Sequence, residues 1–199
     1  MERLKSPRAR LFIALDLPNE FLEGLVAWQR EALGVREELR LLPKESLHVT
    51  LVFLGYQAER DVERISAVTF EEAAEPFELR PKEVIAVPPR RPRLYAVALE
   101  DGAEALMQWQ GRLAERLERG GFYKPEKRPF WPHLTVARLK KEAGRRKAGG
   151  RVSGGTGLPE TPGLPEALAT PFQARALTLY KSTLRPQGAL YEPLATVDL

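Results

Sequence analysis

Apolar and polar residues alternate over residues 10–17, with Leu11, Ile13 and Leu15 on one face and Phe12, Ala14 and Asp16 on the other. That period of two predicts a strand, ended by Pro18. The period then lengthens. Phe21, Leu22, Leu25, Trp28, Gln29 and Ala32 recur at roughly helical spacing, predicting a helix over 20–33 with Asn19 as its cap and Gly34 as its stop. A short apolar piece at 39–42 is broken by Pro43, and 46–54 reads as a second strand closed by Gly55. Val62, Ile65, Val68 and Thr69 mark the inner stripe of a charged helix over 61–74. Two strands at 77–87 and 93–99 flank a joint containing Pro88, Pro89 and Pro92, which is too rich in proline for a sheet centre. Leu106, Trp109, Leu113 and Leu117 predict a helix over 103–117, stopping at Gly120-Gly121. Strands follow at 133–139, 176–184 and 190–197, the last two joined by a turn at 186–188.

Between them, residues 140–164 break the pattern. They hold seven glycines among basic and small polar residues, which predicts a long flexible loop. Each half of the chain contains a strand, a helix and a further strand, so the fold class expected is α+β with two similar lobes. The lobe boundary is expected within 88–102, with the C-terminal strands free to cross between lobes.

Composition narrows the function. The chain has 199 residues, 43% hydrophobic and 29% charged, as in an ordinary globular protein able to bury a core. No run approaches the roughly 20 apolar residues of a membrane span. The basic start at Arg3, Lys5, Arg8 and Arg10 leads into only five apolar residues before Asp16, with no small-residue cleavage site, so no signal peptide is expected. With no cysteine, disulfides, thiolate metal sites and a cysteine nucleophile are excluded, and a cytoplasmic location fits. The net charge of +4 suits a polyanionic partner without identifying one.

One string occurs twice: His48-Val49-Thr50-Leu51 and His133-Leu134-Thr135-Val136. The chain has two histidines, and each opens one copy. On a strand, His48 and Thr50 share a face, as do His133 and Thr135. Two imidazoles brought together can divide acid and base work, because one can be neutral while the other is charged near their ordinary pKa of about 6.5. Opening a 2′,3′-cyclic phosphate needs both: a base for the attacking water and an acid for the departing ribose oxygen. Thr50 and Thr135 can hydrogen-bond the non-bridging phosphate oxygens. A structural pair of histidines and a zinc site are the other readings. Zinc would need further ligands, and only carboxylates remain, none at a telling spacing.

The doubled motif resembles that of the 2H phosphoesterase superfamily, and more closely its bacterial and archaeal RNA 2′,3′-cyclic phosphodiesterases, also described as 2′-5′ RNA ligases. Residues 10–18 resemble that family's opening strand, 47–55 its first motif strand and 128–138 its second. Leu179-Tyr180-Lys181-Ser182, with Gly188 and Tyr191, is similar to its end. The resemblance covers nearly the whole chain apart from 140–164. It implies two lobes related by a pseudo-twofold, each an antiparallel sheet with helices on the outside, and an active site in the groove between the sheets. It implies a metal-independent reaction with no cofactor that leaves a 2′-phosphate, with His48 as proton donor and His133 as proton acceptor.

Arg138 matches the family's arginine beyond the second motif and is expected to bind phosphate. Simple alternation puts it on the face opposite His133, so a bulge or strand end must turn it inward. Phe12 resembles a family position that stacks on a terminal base, and Trp131 is a second stacking candidate. Arg145, Arg146, Lys147 and Arg151 are candidates for RNA phosphate contacts. The expected partner is an RNA end bearing a 2′,3′-cyclic phosphate, with tRNA fragments one candidate source, bound by a monomer away from any membrane. Reversible 2′-5′ ligation and a non-catalytic RNA- or nucleotide-binding module are the alternatives.

Overall fold

The computed structural model describes residues 6–72, 75–89, 91–140, 161–186 and 188–199. Its two motif strands meet at the centre of one antiparallel sheet. Strand β3 (Val49–Ala58) and strand β6 (His133–Leu139) pair at a single point, Val49 opposite Leu134. These are equivalent residues, each one step after its motif histidine, so a local twofold passes between them.

Outward from that junction the two sides repeat. On one side β3 pairs with β1 (Arg8–Asp16), then β8 (Ala176–Arg185), then β9 (Gly188–Asp198). On the other, β6 pairs with β5 (Leu94–Glu100), then β4 (Glu78–Val87), then β7 (Phe172–Gln173). Past the junction β6 takes β2 (Leu39–Leu41) as its neighbour while β3 stays with β1, so the motif strands part and open a groove. A turn of the first half reaches the second across this groove. Gly188, at φ +143°, lies so close to the Arg40 guanidinium of β2 that a Cβ there would collide with it.

The helices repeat as well. Helix α1 (Asn19–Leu33) follows β1, and α3 (Ala105–Arg119) follows β5, each with 15 residues. Leu25, Trp28 and Leu33 of α1, and Leu106, Trp109, Leu113 and Leu117 of α3, join one continuous core with the sheet. A shorter helix, α2 (Val62–Phe70), packs on α3. Among the described residues no helix is long and apolar enough to cross a membrane.

Several expectations change in detail. β1 is buried on both faces: Leu11, Ile13 and Leu15 join the core, and on the other face His48, Tyr180 and Tyr191 pack around Phe12. Asn19 is the first helical residue rather than the cap, and its amide donates to Glu23 Oε1 at 2.8 Å. His48 stands just ahead of β3, after a 3-10 turn at Lys44–Ser46. Gly55 does not close that strand. It takes φ +69° beside an irregularity in the β1–β3 register, and pairing continues to Ala58. The proline joint at 88–92 connects β4 to β5, which pair with each other in one half of the sheet. β8 and β9 return to the first half. Most of the glycine-rich stretch, with Arg145, Arg146, Lys147 and Arg151, lies outside the described residues.

Candidate active site

Alternation alone would send Arg138 away from His133. The register explains why it does not go there. Ala96 pairs with Thr135 and Tyr95 with Ala137, so Val136 is an extra residue in β6 and parity shifts by one. Arg138 therefore shares the face of His133 and Thr135. β3 carries the same device at the equivalent step: Ala14 pairs with Thr50 and Ile13 with Val52, leaving Leu51 as the extra residue. That shift brings Phe53 onto the face of Thr50. Phe53 and Arg138 are thus equivalent positions, each three residues past its motif threonine.

A bulge leaves a main-chain carbonyl without its ladder partner, and a buried carbonyl needs one. Here each is met by a buried glutamine from the helix behind the strand. Gln29 of α1, 1% exposed, donates its amide to Val136 O and to Leu42 O, the latter at 3.1 Å. Leu42 N also donates to Val136 O, at 2.9 Å. Gln110 of α3 donates to Leu51 O at 3.1 Å. Reasoning from the sequence missed the role of both residues, although Trp28-Gln29 and Trp109-Gln110 repeat one dipeptide in two helices. A polar residue recurring on two apolar helix faces was the available signal.

The motif side chains line a cavity of about 130 Å³ that includes His48, Thr50, His133, Thr135 and Arg138. Arg10, Phe12, Ser46, Phe53 and Tyr191 complete its wall and rim. With Val49 opposite Leu134, an antiparallel register sets His48 beside Thr135 and Thr50 beside His133.

The two histidines have different surroundings. His133 Nδ1 lies 2.8 Å from Trp131 O, and a carbonyl only accepts, so Nδ1 carries the proton and the neutral ring keeps its lone pair on Nε2. The Trp131 indole lies flat on the imidazole, centroids 4.2 Å apart and planes 11° from parallel. His48 packs instead in an aromatic cluster, 4.9 Å from Phe12 and edge-on to Tyr191 at 5.1 Å. Tyr180 backs this cluster, 5.2 Å from Phe12, and its hydroxyl donates to Asp16 Oδ1 at 2.7 Å. Burial, together with Asp16 beside it, raises the Tyr180 pKa, so the phenol stays protonated.

Burial also lowers both imidazole pKa values, because a charged ring loses its hydration. His48 falls to about 4, with the charges of Arg138 and His133 adding to the effect. His133 falls too, opposed by its bond to Trp131 O and helped by Arg138. Empty, the site favours two neutral histidines.

Two stacking candidates find other partners. Phe12 lines the cavity, is 3% exposed, and its ring is engaged by His48, Tyr180 and Tyr191. Trp131 covers His133 and does not line the cavity. The exposed aromatic at the rim is Phe53, at 38%. His48 also borders an adjoining cavity of about 320 Å³ containing Asp16, Tyr180, Thr196 and Asp198. Among the described residues no three His, Cys, Asp or Glu side chains converge as a metal cage.

A twofold α+β fold that turns both histidine motifs into one cleft is the architecture of the 2H phosphoesterases. The chain belongs to the 2′-5′ RNA ligase superfamily, whose model matches residues 23–181. An RNA 2′,3′-cyclic phosphodiesterase of Methanocaldococcus jannaschii is 28% identical over 92% of this chain and 96% of its own length. One from Thermus thermophilus is 30% identical over 96% of this chain and 90% of its own. The crystal structure of Escherichia coli LigT in its apo form superposes with a TM-score of 0.73 at 25% identity, covering 97% of this chain and 98% of that one.

Proposed function

We propose that this protein hydrolyses 2′,3′-cyclic phosphate ends of RNA to 2′-phosphomonoesters, without a metal, using His48 as acid and His133 as base. The observation that supports the reading is that both motifs' histidines and threonines line one cavity, beside the pairing of Val49 with Leu134. His133 Nε2, left unprotonated by the bond at Nδ1, takes a proton from water. The water oxygen attacks phosphorus and the bond to the 3′ oxygen breaks. That oxygen takes a proton from His48 on the far side. Thr50, Thr135 and Arg138 hold the non-bridging oxygens as negative charge grows on them. The terminal nucleoside then lies on the side of His48, where the larger adjoining cavity has room for it.

His48 must be charged to act, yet burial and Arg138 hold it neutral in the empty site. The substrate resolves this conflict, because a phosphodiester anion in the cavity favours the imidazolium. Binding therefore takes up a proton, and the enzyme charges its acid only on a bound end. A 5′-hydroxyl in place of water makes the same step a 2′-5′ ligation, and the superfamily's name favours testing that direction as well.

The test supplies an RNA with a 2′,3′-cyclic phosphate and identifies the monoester formed, with and without EDTA. A 2′-phosphate in both cases is expected. A 3′-phosphate would overturn the leaving-group assignment, and loss of activity in EDTA would overturn metal independence.

A further inference from the structure

The cavity has a second arginine. Arg10 of β1 lines the same wall as Phe12, two residues on, and is held at two points. Its Nη1 donates to Ser182 Oγ at 2.8 Å, and its Cζ lies 4.4 Å above the centre of the Phe53 ring. Phe53 occupies the position that Arg138 has in the other half. The first half thus offers its cation from the neighbouring strand, one strand spacing (about 4.8 Å) farther out. Arg10 therefore stands beyond the reacting phosphate, at the rim.

A ribose carries its base at C1′ and its chain-linking phosphate beyond C4′, on opposite sides of the ring. With the 2′,3′ edge against the histidines and the base toward Asp16 and the larger cavity, the 5′ phosphate points along β1 the other way. Asp16, Phe12 and Arg10 follow in that order on one face of the strand. We propose that Arg10, seated on Phe53 and tied to Ser182, binds the phosphodiester that joins the terminal nucleotide to the one before it. This makes the enzyme select polynucleotide ends over free cyclic mononucleotides. The inference rests on the hydrolase reading above and adds which part of the RNA is recognised.

Two substrates separate the ideas: a 2′,3′-cyclic mononucleotide, and a dinucleotide with the same cyclic end. Arg10→Gln is expected to raise KM for the dinucleotide roughly 10- to 100-fold, with kcat little changed, and to leave the mononucleotide unaffected. Arg10→Lys, which keeps the charge, should recover part of the loss. A neutral methylphosphonate at the internucleotide link should weaken the wild-type protein to a similar extent and add nothing to Arg10→Gln. Equal losses on both substrates, or full wild-type efficiency on the methylphosphonate, would overturn the proposal. A wild-type protein inert toward both cyclic ends would overturn the hydrolase reading, and this inference with it.

Discussion

The two half-sites share a backbone and differ in chemistry. Each has a motif strand, a bulge one residue past the threonine, and a helix glutamine holding the bulge carbonyl. Beyond that they diverge. In one, His133 has its tautomer set by Trp131 O and a guanidinium three residues past its threonine. In the other, His48 is packed among aromatic rings, Phe53 replaces the guanidinium, and the cation comes from Arg10 instead. Duplicated geometry brings two imidazoles to one cavity. Unlike surroundings distinguish them, and the proposed division of acid and base work rests on that difference.

The sharpest way to break this comparison is to remove each histidine and then ease one half of the reaction. His48→Ala and His133→Ala are each expected to lower kcat by roughly 10²–10⁴-fold on a cyclic-phosphate RNA end. A substrate with sulfur in place of the 3′ oxygen releases a thiolate that needs no proton. It should restore much of the activity of His48→Ala and none of His133→Ala. Rescue of His133→Ala instead would reverse the roles. Arg138→Ala follows, at about 10²–10³-fold in kcat, with Arg138→Lys recovering part, because lysine keeps the charge but not the planar fork.

The bulges give the next test. Gln29→Leu leaves Val136 O without its side-chain donor and frees the turn that aims Arg138, so kcat/KM should fall roughly 10- to 100-fold. In an Arg138→Ala background the same change should add little, a non-additivity that steady-state kinetics on the double variant would read. Gln110→Leu releases the bulge beside Phe53 and should spare the chemical step. If it cost as much as Gln29→Leu, the glutamines would be supporting the fold alone.

These residues also mark what the sequence could and could not reveal. The doubled motif was legible because its signal is local: two copies of one His-apolar-Thr-apolar pattern on strands of period two. Arg138 came out on the wrong face because the bulge that corrects it is secured by Gln29, 107 residues away, and leaves no trace in the apolar pattern of β6. Phe12 was expected to meet a base because it resembles a family position that does. Its ring instead packs against His48, Tyr180 and Tyr191, brought in from elsewhere in the chain, which no reading of β1 alone reveals. The proline joint at 88–92 has the composition of a linker and is a hairpin, since only the register of β4 on β5 tells the two apart.

The smallest expected effect concerns the field that couples the halves. Burial is the first cause of the low pKa at both histidines, and Arg138 is a lesser one. Arg138→Gln should therefore raise both pKa values, read by NMR titration, while leaving His48 still below its ordinary 6.5. A His48 restored to 6.5 by this change would mean that the guanidinium, not the aromatic packing, sets its charge. The sign also reaches stability. A ring whose pKa is depressed by folding favours the native state fully above about pH 6.5, and that contribution is lost as pH falls toward about 4. His48→Asn should flatten the dependence of unfolding free energy across that window. The same shift predicts a bell for kcat/KM that peaks on the acid side of 6.5, with an alkaline limb displaced upward in kcat, because bound phosphodiester holds His48 charged. Identical limbs in both profiles would show that the substrate does not charge the acid.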